Sequence, residues 1–252
     1  MEDWFVQFIC FSVGTLIGSF LNVVIRRMPR GESIVSPPSH CPSCGFRLQW
    51  RDLIPLFSYL LLLGRCRNCG SSIGIRYPLI ELVNGLGYLG IFLHRGFSLS
   101  SLSLMVLFSI LLAVVFIDLD SMIIPDNLML FGLLTGILLT ASQTWSVFVE
   151  GIIGMVIGGG ILLTIAVLSK GGMGGGDIKL AGVLGLFLGS HQILLILFLS
   201  FLMGSVVGIT LMIMKRKTMK DMIPFGPFLA MAAYISMFWG NSILYWYGLM
   251  YY

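Results

Sequence analysis

Eight apolar runs follow one another along the chain, and several of them are long enough to cross a membrane. A helix needs roughly 20 apolar residues to span the hydrocarbon core of a bilayer. Only 10% of the residues are charged and 57% are hydrophobic, a balance that excludes a solvated globular enzyme. The sequence therefore predicts an all-α polytopic membrane protein with about eight transmembrane helices. The runs lie at about residues 4–25, 78–93, 99–117, 128–140, 152–168, 178–188, 193–214 and 225–246.

The positions of Lys and Arg predict which loops face the cytoplasm. With eight spans, 14 of the 15 basic residues fall on one side of the membrane, and Arg95 alone falls on the other. The chain is therefore expected in the cytoplasmic membrane. We predict a first transmembrane helix over 1–25, a cytoplasmic loop domain over 26–77 and a multi-helix membrane domain over 78–252. The basic residues in the later cytoplasmic loops are Lys170, Lys179, Lys215, Arg216, Lys217 and Lys220.

Pairs of glycines four residues apart recur within the apolar runs. This spacing lets helix backbones approach closely in a membrane, where no hydrophobic effect drives helices together. It favours packing within one chain, with a homodimer interface as the alternative. The pairs are Gly14–Gly18, Gly132–Gly136, Gly154–Gly158, Gly185–Gly189 and Gly204–Gly208.

Two closely spaced cysteine pairs lie in the 26–77 loop. Cys41-Pro-Ser-Cys44 and Cys66-Arg-Asn-Cys69 are separated by 21 residues, which suits a tetrahedral Zn²⁺ with four thiolate ligands. A loop of about 50 residues buries little core, so a metal would supply folding energy. Disulfides and free thiols are the alternatives, and a cytoplasmic location disfavours disulfides. The sequence therefore predicts a structural zinc site.

The same loop could instead be a zinc-dependent nucleic-acid module. It has few aromatic residues and no basic helix, so no nucleic-acid partner is predicted. The remaining cysteine, Cys10, lies within the first run and is expected to be a packing residue.

Four aspartates lie at the predicted cytoplasmic ends of the membrane helices, where burying a charge is costly. Asp118 and Asp120 end the third run, Asp126 precedes the fourth and Asp177 precedes the sixth. Two carboxyl groups in a low-dielectric cleft share one proton, because they cannot easily both ionise. One carboxylate can then activate water while the other polarises a peptide carbonyl. The Gly171–Gly176 stretch is interpreted as a loop whose backbone can approach a substrate closely.

Other roles for these acids stay open on the residues alone. An aspartate can cap a helix, form a salt bridge to Lys179, or line a path for protons or cations. The residues leave an intramembrane aspartyl protease and an ion-coupled transporter equally open, with a zinc-bearing scaffold as a third class.

Several longer motifs resemble a known family. Gly174-x-Gly176-Asp177 is the G-x-G-D signature of intramembrane aspartyl proteases, although Gly175 stands where a larger residue is frequent. From about residue 14 to residue 230, the chain resembles the bacterial type IV prepilin peptidases. The matching segments are Gly18-Ser19-Phe20-Leu21-Asn22-Val23-Val24-Ile25, the two C-x-x-C units, Ile75-Arg76-Tyr77-Pro78 with Glu81, Ile117-Asp118-x-Asp120 with Ile124-Pro125-Asp126, and Gly174-x-Gly176-Asp177-Ile178-Lys179-Leu180.

The resemblance implies both an activity and the residues that carry it. It makes Asp118 and Asp177 the catalytic pair of an aspartic endopeptidase. The residues expected to support the pair are Asp120, Asp126, Gly174, Gly176 and Lys179.

The resemblance also implies a substrate and a second activity. The substrate would be a type IV prepilin or a type II secretion pseudopilin, whose short basic leader is cut after a glycine at the cytoplasmic face. The new N-terminal residue, usually Phe, would then be N-methylated from S-adenosylmethionine. The chain has no glycine-rich Rossmann fingerprint, so the site for this methyl donor is unassigned and the cytoplasmic loop is its favoured place.

Overall fold

The described part of the chain is helical apart from turns, loops and two isolated β-bridges. The computed structural model describes residues 3–170, 172–215 and 222–248. Gly171, Arg216, Lys217 and Lys220, which entered the predictions, lie outside these residues. The α-helices are α1 (Asp3–Arg27), α2 (Phe57–Leu61), α3 (Arg76–Arg95), α4 (Leu99–Ser121), α5 (Asp126–Ala141), α6 (Trp145–Leu168), α7 (Gly175–Leu188), α8 (Ser190–Ile213) and α9 (Gly226–Trp246). The predicted all-α fold is confirmed.

Every predicted apolar run coincides with a helix, and the remaining helix, α2, is a short segment of the loop. Within the described residues, five helical segments are long and apolar enough to cross a membrane. α5 and α7 are shorter, with 16 and 14 residues. The chain is thus a membrane protein, and the count of eight spans stays a prediction. The five segments are Trp4–Arg30, Leu99–Ser121, Trp145–Leu168, Ser190–Ile213 and Gly226–Trp246.

The chain divides into two compact units. The N-terminal unit covers Met1–Phe97 and the C-terminal unit covers Ser98–Tyr252. The 26–77 loop lies inside the N-terminal unit, because the helices on either side of it, α1 and α3, pack along each other. Separate folding of this loop as a domain stays a prediction.

Glycines in α1 bring its backbone against α3. A Cβ atom on Gly14 would lie 2.8 Å from the Cα atom of Gly85, and one on Gly18 would lie 2.7 Å from the Cα atom of Glu81. The side chain of Asn84 uses this closeness, since its Nδ2 donates to the Gly14 carbonyl at 2.8 Å. The first glycine pair therefore packs within the chain, as the intramolecular alternative predicts.

In the C-terminal unit, α4 packs against α5, α7 and α9. The helix ends at Ser121, where Met122 adopts a left-handed conformation (φ 53°) and its N–H bonds to the Asp118 carbonyl at 2.8 Å. After this tight connection α5 begins at Asp126. The C-terminal end of α4 therefore lies beside the N-termini of the helices packed around it.

The start of α7 differs from the sequence-based expectation. Gly175 and Gly176 belong to the helix, although the Gly171–Gly176 stretch was expected to be a loop. The reason is a cap: Gly174 is the extended N-cap residue, and its N–H donates to the Asp177 carboxylate. A carboxylate three residues into a helix satisfies the N-cap N–H in this way.

Candidate active site and four-cysteine site

Asp118 lies in the last turn of α4 and is buried, with 5% of its surface exposed. Its Oδ2 accepts a hydrogen bond from the backbone N–H of Gly226 at 2.9 Å. Gly226 is the first residue of α9, so this N–H has no partner within its own helix. A helix N-terminus also carries a partial positive charge. The start of α9 therefore stabilises the buried carboxylate, and the Gly226 N–H fixes its orientation.

Asp177 lies in the first turn of α7 and is half-buried. Its carboxyl group is close enough to Asp118 for the two charges to interact. Since α4 and α7 pack against each other, the structure brings together the two aspartates predicted to form the catalytic pair.

The two glycines of the G-x-G-D motif have different neighbours. A Cβ atom on Gly174 would lie 3.0 Å from the Asp177 Oδ2, and one on Gly176 would lie 2.8 Å from the Cβ of Ile124. Between them, a Cβ atom on Gly175 would meet nothing within 4 Å. The middle position therefore has space for a larger residue, and glycine there removes no contact that the acid needs.

Asp126 and Lys179 form an ion pair with each other. The Lys179 Nζ lies 2.5 Å from the Asp126 Oδ1, and both side chains are exposed. The pair links the first turn of α5 to the first turn of α7. Asp120, two residues after the buried Asp118, is also exposed. The supporting role expected for Asp120, Asp126 and Lys179 stays a prediction.

Each of three aspartates at this end of the unit lies at the N-terminus of a different helix. Asp126 is the first residue of α5, Asp177 is in the first turn of α7, and Asp118 accepts from the first N–H of α9. A negative charge near a helix N-terminus is favourable by about 0.3–1 kcal/mol at an exposed position. The arrangement explains how several carboxylates are tolerated beside one another.

Sequence reasoning missed Gly226. A Cβ atom there would lie 2.8 Å from the Asp118 Oδ2 and 3.3 Å from the Cγ1 of Val114. The available signal was the Gly226-Pro227 pair at the start of an apolar run, because proline is favoured in the first turn of a helix. That signal locates the helix start but not the aspartate that it contacts.

The cysteine pairs form two similar turns in the N-terminal unit. In the first, the N–H of Gly45 donates to the Cys41 carbonyl at 2.9 Å, and in the second the N–H of Gly70 donates to the Cys66 carbonyl at 2.9 Å. Both glycines have left-handed backbones, with φ of 70° and 69°. Each turn brings its two sulfur atoms within 4.8 Å of each other.

The four sulfur atoms of Cys41, Cys44, Cys66 and Cys69 all lie within 4.8 Å of one another. The Sγ atoms are 3.8 Å apart for Cys41 and Cys69, and 4.0 Å apart for Cys44 and Cys66. Four thiolates at about 2.3 Å from a tetrahedral Zn²⁺ are separated by about 3.8 Å. The cluster has the size that a single metal ion needs, and none of its cysteines is in a disulfide.

Local hydrogen bonds favour the thiolate form of two of the four cysteines, Cys41 and Cys69. The backbone N–H groups of Cys44 and Ser43 donate to the Cys41 sulfur and lower the pKa of that thiol to about 6. The hydroxyl and then the backbone of Ser71 similarly lower the pKa of Cys69. Metal ligation needs the deprotonated sulfur. The positions of all four sulfur atoms and the lowered pKa values of Cys41 and Cys69 therefore fit a metal site.

Each of the two units of the chain matches a known peptidase domain family. Residues 12–95 match the Bacterial Peptidase A24 N-terminal domain, and residues 105–209 match the Type IV leader peptidase family. The first match falls within the N-terminal unit and the second within the C-terminal unit.

Curated relatives agree with these matches along almost the whole chain. A prepilin leader peptidase/N-methyltransferase of Aeromonas hydrophila is 35% identical over 273 residues, which cover 97% of this chain and 94% of the relative. A protein of the same name from Pseudomonas putida is 33% identical over 270 residues, covering 96% and 94%. The chain belongs to the type IV leader peptidase family. No solved structure matches the chain.

Proposed function

We propose that this protein is a membrane-embedded aspartic endopeptidase that removes the leader of type IV prepilins or pseudopilins. One observation carries the proposal: Asp118 and Asp177, 59 positions apart in sequence, are placed together at the ends of two packed helices. The names of the relatives support prepilins as the substrate class.

The two carboxyl groups divide the work of peptide hydrolysis. The ionised carboxylate takes a proton from a water molecule, whose oxygen attacks the carbonyl carbon of the scissile bond. The protonated carboxyl donates to the carbonyl oxygen, and a proton then passes to the leaving nitrogen as the bond breaks. The Gly226 N–H holds the Asp118 carboxylate in position through these steps. We place one catalytic water between the two carboxyl groups.

The proposed site faces the cytoplasm. Under the eight-span topology, the loops that hold the basic residues lie on the same side as the C-terminal end of α4 and the N-terminus of α7. A leader peptide that remains in the cytoplasm would reach the aspartates there. The protein would then lie in the cytoplasmic membrane with both termini outside the cytoplasm.

Zinc is the proposed metal of the four-cysteine cluster. Its residues are Cys41, Cys44, Cys66 and Cys69, and a shell of four thiolates leaves no open position for a substrate. The metal would therefore hold the loop together and take no part in cleavage. The sulfur spacing and the lowered pKa of Cys41 support this assignment.

N-methylation is the second proposed activity, supported by the names of the relatives. When bound, S-adenosylmethionine would supply an electrophilic methyl group to the new N-terminal amine. Nothing in the aspartate site is needed for that reaction, since it uses no activated water.

Mass spectrometry of a prepilin tests the proposal directly. A purified prepilin is incubated with the protein and S-adenosylmethionine, and its mass is recorded with time. Loss of the leader, followed by a gain of one methyl group, is the expected result. An unchanged prepilin mass in a membrane-like environment, with intact protein and bound zinc, would contradict the peptidase assignment. Cleavage without the methyl gain would contradict only the second activity.

A further inference from the structure

A cavity of about 470 Å³ lies in the N-terminal unit, among the C-terminal end of α1, the start of α3 and the loop that carries the cysteines. Binding sites for small molecules usually have volumes of about 300–1,000 Å³. Neither Asp118 nor Asp177 lines this cavity. It is therefore a separate site from the aspartate pair.

A buried carboxylate lines the cavity. Glu81 is 9% exposed, and its Oε2 accepts the backbone N–H of Leu56 at 2.8 Å while the Ser19 hydroxyl also donates to it. A carboxylate has about four acceptor positions, so these two donors leave capacity toward the cavity. Burying an anion costs several kcal/mol unless a partner compensates it. A cationic ligand would provide that compensation.

The backbone that donates to Glu81 is strained. Leu56 has φ of 60° and ψ of −48°, and positive φ is uncommon for a residue other than glycine. The Glu81 carboxylate holds this conformation through the Leu56 N–H. Backbone strain of this kind is found at ligand-binding sites, where the surrounding structure maintains it.

A buried guanidinium lines the same cavity. Arg27 is 9% exposed, and its Nη1 donates to the Ser33 carbonyl at 3.1 Å. Guanidinium has five N–H donors in a planar fork that matches a carboxylate. Arg27 can therefore bind an anionic group of a ligand, while Glu81 binds a cationic group of the same ligand.

Two tyrosines add aromatic surface to the lining. The Tyr59 hydroxyl donates to the Ile73 carbonyl at 3.3 Å, and the Tyr77 hydroxyl accepts from the Arg26 Nη1 at 3.2 Å. These bonds anchor both rings at the hydroxyl end. A fixed aromatic ring can contact a flat heterocycle or a cation.

From these groups we infer that the cavity is the binding site of S-adenosylmethionine, with Glu81 beside its sulfonium and Arg27 on its carboxylate. The inference rests on the proposed methyltransferase activity. In the transfer, the lone pair of the substrate amine forms the new N–C bond, the methyl C–S bond breaks, and its electron pair stays on sulfur as S-adenosylhomocysteine. The proton displaced from the amine passes to water.

The charge pattern favours this ligand over an anionic headgroup. The lining has charged side chains of both signs: Arg26, Arg27, Arg30, Arg67, Glu32, Asp52 and Glu81. A phosphate could pair only with the arginines and would be repelled by the carboxylates, whereas a zwitterion with an added sulfonium charge has groups that can pair with both signs. Binding of lipid phosphate alone is therefore a result that would count against the inference.

Calorimetry on the full-length protein in detergent tests the assignment with two probes. S-adenosylmethionine and S-adenosylhomocysteine share the carboxylate, but only the first has the sulfonium charge. Glu81→Gln should weaken the binding of S-adenosylmethionine about ten-fold or more, which corresponds to about 1.4 kcal/mol. It should weaken the binding of S-adenosylhomocysteine less, because that molecule has no sulfonium charge. Arg27→Gln should weaken the binding of both probes to a similar extent, because both have the carboxylate. Zinc content and melting temperature report whether each variant is folded.

Glu150→Gln is the matched control, since Glu150 is an exposed carboxylate of the C-terminal unit that does not line the cavity. It should bind both probes as the wild type does. Unchanged binding in folded Glu81→Gln and Arg27→Gln proteins would overturn the assignment.

Photocrosslinking of S-adenosylmethionine to the wild-type protein gives a result that does not depend on variant folding. Labelled peptides should fall between residues 19 and 81, the limits of the cavity lining. Label confined to peptides after residue 97, or binding of anionic lipid without S-adenosylmethionine, would overturn the inference. The prepilin mass assay separates this failure from that of the proposed function. If the prepilin gains a methyl group but the label maps outside residues 19–81, the methyltransferase activity is supported and its site lies elsewhere in the chain.

Discussion

The two units of the molecule hold their polar groups by different means. In the N-terminal unit, four cysteines belong to a loop with little apolar core, and the turns of this loop converge on one cluster of sulfur atoms. A cavity lies between this loop and the helices α1 and α3. In the C-terminal unit, the carboxylates lie at the ends of apolar helices and are stabilised by helix N-termini. The first arrangement has the geometry to bind a metal ion, whereas the second depends on how helices pack.

This difference predicts that folding of the loop and catalysis at the helix ends can be disrupted independently. Changes at the sulfur cluster should affect the folding of the loop, and changes at the helix ends should affect catalysis with the fold retained. The experiments that follow test this separation, beginning with the largest expected effect.

Replacing either aspartate of the proposed catalytic pair should have the largest effect. Asp118→Asn or Asp177→Asn should reduce leader cleavage by about 10²–10⁴-fold, because an amide cannot exchange the proton in general acid–base catalysis. Zinc content should stay at the wild-type level, since the cysteines belong to the other unit. Cleavage rates from mass spectrometry and metal analysis provide the two measurements.

Asp120→Asn is the control for this pair, because Asp120 is a neighbouring aspartate that is exposed. It should retain most of the cleavage activity. An Asp118→Asn enzyme that cleaves as fast as Asp120→Asn would remove Asp118 from the catalytic pair.

Removal of the metal should disorder the loop. The wild-type protein should contain about one Zn²⁺ per chain, as a four-thiolate site predicts. Cys41→Ser should lose most of this zinc and become sensitive to trypsin between residues 26 and 77, since the metal supplies folding energy to a small loop. Metal analysis and mapping of the tryptic fragments measure these effects.

Cys10→Ser provides a thiol control outside the cluster, because Cys10 is buried in α1 and is not one of the four clustered cysteines. It should keep its zinc. Rapid alkylation of all four clustered thiols in the native wild-type protein, together with no bound metal, would show that the loop folds without zinc.

Two adjacent glycines of α7 test how tightly the catalytic end is packed. Gly176→Ala should destabilise the protein by about 1–3 kcal/mol, because its Cβ would overlap Ile124 and inserted atoms strain a packed core. It should also slow cleavage by displacing Asp177. Thermal melting and cleavage rates are the measurements.

Gly175→Ala is the matched variant, with the same change one residue earlier in the same helix. A Cβ there meets nothing within 4 Å, and alanine favours helix over glycine by up to about 1 kcal/mol. It should therefore be neutral or slightly stabilising. Equal losses from the two variants would show that helix propensity, rather than packing against Ile124, controls the motif.

The exposed ion pair should have the smallest effect. Lys179→Met should change stability by less than about 1 kcal/mol, because both partners are exposed and solvent screens their attraction. A double-mutant cycle with Asp126→Asn isolates the coupling between the two side chains. A coupling well above this limit would give the pair a structural role comparable to that of the buried residues.

Much of the fold could be predicted because its signals are local. Each apolar run became a helix at nearly the predicted position, since lipid excludes charge from any span and leaves a visible pattern in the sequence. The four cysteines could be grouped for a similar reason, because a pair two residues apart already forms one turn of a metal site. The start of α7 was misplaced because a cap depends on a hydrogen bond that the sequence does not display.

The sequence by itself determined the membrane character of this protein and its cysteine cluster, and the resemblance of its motifs to a known family named the two candidate catalytic aspartates. Only the tertiary structure decided what surrounds them. The Gly226–Asp118 bond joins residues 108 positions apart, and the Asp126–Lys179 pair joins residues 53 positions apart. The Glu81 carboxylate likewise meets Leu56 only because the loop folds back against α3. Such contacts arise when whole helices and loops pack, and residue spacing along the chain carries no information about which helix ends will meet.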